Sequence, residues 1–97
     1  MEENIRNEQT EQLFRAILTL SNVDDCARFF EDLCTVSEIQ EMAKRLTAAK
    51  MLISNRIYSE ISEETGLSTA TISRVNRCLK FGNNGYREVL TRLERRR

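Results

Sequence analysis

The chemistry this chain can offer is concentrated between Ser59 and Lys80, and its residue types suit recognition, not catalysis. Over Ser68-Thr69-Ala70-Thr71-Ile72-Ser73-Arg74-Val75-Asn76-Arg77-Cys78-Leu79-Lys80, short hydroxyl side chains come first and cations follow. Hydroxyls exchange hydrogen bonds with base edges, while guanidinium and ammonium groups hold phosphates. The chain has no histidine, so no Ser/His or Cys/His pair is available to activate a nucleophile. Cys26, Cys34 and Cys78 lack CxxC spacing, which leaves no zinc or haem-type ligand set. Cys26 and Cys34 fall in an apolar helical pattern, where a thiol acts as a small hydrophobe. Neither an enzyme, a metal nor a cofactor is expected.

Helical geometry sorts these residues. At about 100° per residue, Ile72, Val75 and Leu79 fall on one side of a helix. Thr69, Ser73, Arg77 and Lys80 fall on the other, flanked by Ala70 and Arg74. The preceding residues fit the first helix and corner of a helix-turn-helix spanning roughly Ile57 to Leu79. Ile61 anchors a short helix, and Ser62 is small where two helices cross. Gly66 stands where the chain must turn sharply and tolerates positive φ. Leu67 plugs the corner, and Ser68 caps the next helix through its hydroxyl. The pattern predicts a recognition helix whose front meets base edges in the major groove of DNA. An αα-corner used only for packing, or one that binds protein, would share much of this spacing.

Charge separates those readings. Residues 1–41 hold ten acids against three bases, a net of −7, while residues 68–97 hold two acids and eight bases, a net of +6. The motif lies in the cationic segment, although the whole chain sums to zero. Such asymmetry points toward nucleic acid only when a motif falls in the basic part, as here.

The elements that must position this motif are helical. Proline is absent and glycine occurs only at Gly66, Gly82 and Gly85, so the chain has few helix breakers and an all-α class follows. Residues 1–8 are polar and are expected to fray. Leu13, Phe14, Ile17 and Leu18 mark one face of a first helix. Ser21-Asn22 offers a cap for a second, lined by Cys26, Ala27, Phe30, Leu33 and Cys34. Thr35-Val-Ser-Glu38 fits a capping box, opening a third helix to about Ser54 that buries Ile39, Met42, Ala43, Leu46, Ala49 and Ile53. Asn55 ends it in a left-handed conformation. Gly82 closes the fifth helix, Asn83 or Asn84 caps the sixth, and Tyr86, Val89, Leu90 and Leu93 form its apolar side. At 97 residues the chain is one domain. Phe14, Phe29 and Phe30 need a partner surface, which favours a homodimer over folding back within one small chain. No apolar run approaches a membrane span and the acidic N-terminus is no signal peptide, so a cytoplasmic location is expected.

Cys34-Thr35-Val-Ser-Glu38, Ala43-Lys-Arg45-Leu46, Leu67-Ser-Thr-Ala-Thr-Ile-Ser-Arg74 and Leu79-Lys80 together resemble the Trp-repressor superfamily. The full length resembles its Trp-repressor-like YerC/YecD branch. The resemblance implies a six-helix fold and an intertwined homodimer. Its dimerisation helices would span residues 9–56, its helix-turn-helix 57–80 and its C-terminal helix 84–97. It matches Thr69, Ala70, Thr71 and Ser73 to base- or backbone-contacting positions. Ser59 and Ser62 match first-helix contact positions, where the family pattern has cations. With Ser68, Arg74, Arg77 and Lys80, these form the expected interface with double-stranded DNA.

The same resemblance matches Arg45 and Arg74 to arginines flanking an indole corepressor, and Thr35 to a residue near its ammonium group. Val75 stands where the family pattern has glycine, and three added carbons would overpack that pocket by about 1–3 kcal/mol. Thr35, Arg45, Arg74 and Val75 are therefore a candidate effector pocket that does not take tryptophan. The leading expectation is a DNA-binding transcriptional regulator, a repressor by family. A regulator gated by another small molecule and a dimeric protein-interaction adaptor are the alternatives.

Overall fold

The computed structural model describes residues 5–96. They contain α1 (Glu8–Ile17), α2 (Val23–Leu33), α3 (Val36–Ile53), α4 (Tyr58–Thr65), α5 (Thr69–Phe81) and α6 (Gly85–Arg95), with no strand among the described residues. The all-α class and the six-helix order expected from sequence are both present. Backbone contacts group the chain into two compact units, Met1–Val36 and Ser37–Arg97.

In the N-terminal unit, α1 starts from a reciprocal cap. The Thr10 backbone N–H donates to Asn7 Oδ1 at 2.9 Å, and the Asn7 N–H donates to Thr10 Oγ1 at 2.9 Å. This satisfies two otherwise orphaned donors, so helix begins at Glu8 where fraying was expected. Residues 1–4 of that expectation lie outside the described residues. Asn22 caps α2 as expected, accepting from the Asp25 N–H at 2.8 Å. Phe29 and Phe30 meet edge to face with centroids 5.6 Å apart. Neither helix has a buried residue, and Phe14, Leu18, Val23 and Leu33 are all exposed.

The C-terminal unit carries the core. Ala48, Met51, Ile61, Leu67 and Ile72 form one buried cluster, with Leu52 and Tyr58 packed against it. Ala49 and Val75 are also buried. The burial expected along α3 is thus only partly present. Ala49 is covered and Ile39 and Leu46 are half-buried, but Met42, Ala43 and Ile53 are exposed. The reason is geometric: the core cluster meets α3 only through Ala48, Met51 and Leu52. Asn55 adopts φ 64°, the left-handed stop expected after α3. Glu60 then reaches back over the start of α4, accepting from Arg56 Nε at 3.0 Å and from the Ile57 N–H at 3.3 Å. The Arg56 bond, then the Ile57 bond, hold its carboxyl below the usual range.

The corner between α4 and α5 is closed by side chains. Gly66 has φ 78°, a value that costs an L-residue about 1–2 kcal/mol. Leu67 is only 4% exposed, and its backbone groups need partners away from water. Ser62 Oγ donates to the Leu67 carbonyl at 2.8 Å. Thr65 Oγ1 accepts from the Leu67 N–H at 3.1 Å while donating to the Ile61 carbonyl at 2.7 Å. Ser68 caps α5 as expected, its Oγ accepting from the Thr71 N–H at 3.1 Å. Gly82 closes α5 in an extended conformation, where an added Cβ would stand 2.5 Å from the Cys78 carbonyl oxygen. Asn84 holds the cap position of α6 with φ 66°, but its side chain makes no cap bond. Its left-handed backbone, not a side-chain acceptor, starts that helix.

Thr65→Val keeps the shape of the corner and orphans the Leu67 N–H. It should destabilise the protein by about 1–3 kcal/mol, read as a lower urea midpoint at unchanged slope. Gly66→Ala should cost about 1 kcal/mol from backbone strain, although a Cβ there meets nothing within 4 Å.

Candidate nucleic-acid interface and adjoining cleft

Helix α5 is amphipathic in the way its sequence requires. Ile72 and Val75 are buried and Leu79 is half-buried, whereas Thr69, Ala70, Ser73, Arg74, Arg77 and Lys80 are exposed. The inner apolar residues hold α5 against the unit and leave the hydroxyls and cations outward. Arg74, Arg77 and Lys80 join no ion pair among the described residues. Among the described residues no carboxylate stands within ion-pair distance of them.

The remaining expected contact residues divide by what their hydroxyls already do. Ser59 is exposed near the start of α4. Ser68 is exposed and its Oγ both accepts from the Thr71 N–H and donates to Thr71 Oγ1 at 3.1 Å. Thr71 is half-buried, and its hydroxyl hydrogen remains free to donate. Ser62 is half-buried and gives its hydrogen to the Leu67 carbonyl, so it shapes the corner and cannot donate to a phosphate while that bond holds. The rest of α4 is acidic, with Arg56 paired to Glu60 at 3.0 Å and near Glu64 at 3.9 Å.

One feature of this surface has no local sign in the sequence. Asn76 Nδ2 donates to the Tyr58 hydroxyl at 3.1 Å, tying α5 to the first residue of α4. Nothing in either residue type signals a bond between positions so far apart. A cleft of about 190 Å³ beside α5 is lined by Glu41, Arg45, Thr71, Arg74, Val75, Cys78 and Tyr86, of which Glu41, Cys78 and Tyr86 were not expected at any site. It brings together Arg45, Arg74 and Val75 of the candidate effector pocket. Thr35 is exposed and belongs to the N-terminal unit. Arg45 Nε is buried without a hydrogen-bond partner. Burial raises the Tyr86 hydroxyl above its usual range, reinforced by Cys78 and opposed by Arg45. Val75, 2% exposed, fills part of the cleft wall. Among the described residues no group of three His, Cys, Asp or Glu could hold a metal ion, and no helix is long and apolar enough to cross a membrane.

The chain is 49% identical over 92 residues to the uncharacterized protein YerC of Bacillus subtilis (strain 168), covering 95% of this chain and 88% of that one. The crystal structure of a TrpR-like protein from Eubacterium eligens ATCC 27750 superposes with a TM-score of 0.90 at 50% identity, covering 95% of both chains. A crystal structure from Staphylococcus aureus gives the same TM-score of 0.90 at 49% identity, over 95% of this chain and 92% of that one. Residues 8–94 match the family described as Trp repressor protein, and the chain belongs to that family.

Proposed function

We propose that this protein is a sequence-specific DNA-binding transcriptional regulator, a repressor, that acts as a homodimer and reads the major groove with residues 68–80. The observation that carries this reading is the outward face of α5, where Thr69, Ala70, Ser73, Arg77 and Lys80 are exposed and the cations are unpaired. Thr69, Ala70 and Ser73 suit base edges. Arg74, Arg77 and Lys80, with the hydroxyls of Ser59 and Thr71, suit the phosphate backbone, while Ser68, whose hydrogen goes to Thr71 Oγ1, contributes by capping α5. Ser62 supports the interface through the corner.

Assembly as a homodimer is supported by the unburied helices α1 and α2 and by a groove of about 540 Å³ between the end of α3 and α6. Ile53, Leu90 and Leu93 line that groove beside Lys50 and Arg87. We treat residues 1–97 as one domain, with 9–56 for dimerisation, 57–80 for reading and 84–97 as the closing helix. The protein-interaction adaptor is less well supported, since a second copy accounts for the exposed apolar faces.

Tryptophan does not act as the effector in this reading. Val75 is buried and lines the cleft, at the position where the family resemblance implies glycine beside an indole; in this reading its side chain takes that space and the reading helices need no such ligand. One observation favours a second reading, in which another small molecule gates DNA binding at Arg45 and Arg74. The buried, unpartnered Nε of Arg45 beside the unpaired Arg74 is suited to an anionic group.

Selection from random duplexes should return a two-fold symmetric motif, and Ser73→Glu or Arg77→Glu should abolish its binding with helicity unchanged. Arg77→Ala should weaken all sequences about equally and reduce the salt slope by roughly one unit; altered sequence preference would make Arg77 a base reader. Sedimentation equilibrium at micromolar protein should give a dimer mass, and a clean monomer would sink the dimeric reading. Calorimetry with millimolar L-tryptophan should show no binding heat, and a tryptophan-driven gain of about tenfold in DNA affinity, about 1.4 kcal/mol of coupling, would restore it as effector.

A further inference from the structure

We propose that the hydrogen bond between Asn76 and Tyr58 is a positioning element for DNA reading, fixing the roll of α5 about its own axis. This inference rests on the DNA-reading function proposed above. Asn76 Nδ2 donates to the Tyr58 hydroxyl at 3.1 Å, and both residues are half-buried. Among the described residues it is the one hydrogen bond between side chains of α4 and α5.

The other attachments of α5 choose its inward face but set its roll only coarsely. Ile72 and Val75 hold it by burial, which is non-directional and sets depth more than angle. Ser62, Thr65 and Ser68 fix only its N-terminal end, through Leu67 and Thr71. Asn76 lies about 12 Å farther along the axis than Ser68, at about 1.5 Å per residue. There it stands level with Ser73, Arg77 and Lys80.

Its angular place matters equally. At about 100° per residue, Asn76 falls about 40° from Ile72, on the edge of the outward face shared with Thr69 and Lys80. The opposite edge carries Thr71, Arg74 and Cys78, which line the cleft. A directional bond made out at side-chain radius resists roll, because displacement grows with distance from the axis. At the helix surface, about 5–6 Å from the axis, a roll of about 20° displaces a side-chain tip by about 2 Å. That is enough to break a hydrogen bond to a base edge. The Tyr58 ring, packed against the core cluster, supplies the fixed end of the tie.

The test uses the full chain with Tyr58→Phe, Asn76→Ala and the double variant. Tyr58→Phe keeps the packed ring and removes only the oxygen. Affinity is measured for the selected duplex and for random duplex, alongside helicity and assembly mass. Each single variant should lose about five- to tenfold on the selected duplex, the scale of one neutral hydrogen bond. Random duplex should change by less than about twofold, because phosphate contacts tolerate roll better than base contacts. The double variant should lose no more than either single one, since both break the same bond. Without DNA, amide exchange in α5 should quicken in all three variants while that of α3 stays unchanged. Unchanged binding by Tyr58→Phe, additive losses in the double variant, or equal loss on both duplexes would overturn the proposal. A loss in Asn76→Ala alone would make Asn76 a direct DNA contact and overturn it too. If the parent protein fails to distinguish the selected duplex from random, the DNA-reading function itself fails. The exchange measurement then judges the tie alone, and unchanged α5 exchange in Tyr58→Phe refutes it.

Discussion

Leu67 is buried together with its backbone, and the hydroxyls of Ser62 and Thr65 supply partners for its carbonyl and its N–H. Without them, the corner would bury two unsatisfied polar groups, each costing about 1–3 kcal/mol. With them, the leucine side chain can join Ile61 and Ile72 in the core. The direction in which α5 leaves that corner follows from the same bonds. Gly66 provides the turn and Ser68 the first anchored turn of helix, but both act on a backbone already held at Leu67. The exposed row from Thr69 to Lys80 is a consequence of that fixed departure.

Electrostatics adds an orientation that packing alone does not specify. The chain is neutral overall, yet its cations are gathered toward the C-terminal third and its acids toward the N-terminal part. Within the helix-turn-helix, α4 is acidic and α5 carries the unpaired cations. In the DNA-binding function proposed above, the duplex is drawn to one helix of the motif and repelled by the acids of the other. Attraction of this kind steers approach more than it holds the final complex.

Local rules made much of this legible in the sequence. Gly66, Leu67 and Ser68 each answer a demand set within a few residues, and Ile72 and Val75 follow from helical period alone. Apolar periodicity says which face of a helix wants cover, but not whether a neighbour reaches it. For that reason Met42, Ala43 and Ile53 were expected inside and stand exposed. Ser62 was legible as a small residue at a crossing, while its bond to Leu67 depends on the finished turn. The Asn76–Tyr58 bond joins residues 18 positions apart and has no local signature. Glu41, Cys78 and Tyr86 entered the cleft for the same reason: three helices had to come together before they shared a wall.

The short spacing of Ile61, Leu67 and Ile72 has a kinetic consequence. Three members of the core cluster lie within a dozen positions, so little chain must be closed before they meet. Contacts this local form early, and the chain contains no proline to impose a slow isomerisation phase. The exposed faces of α1 and α2 gain no such local partner. The corner is thus expected to be in place early, while α1 and α2, which bury no residue, gain nothing from closing so short a loop; in the dimer proposed above, their cover comes last.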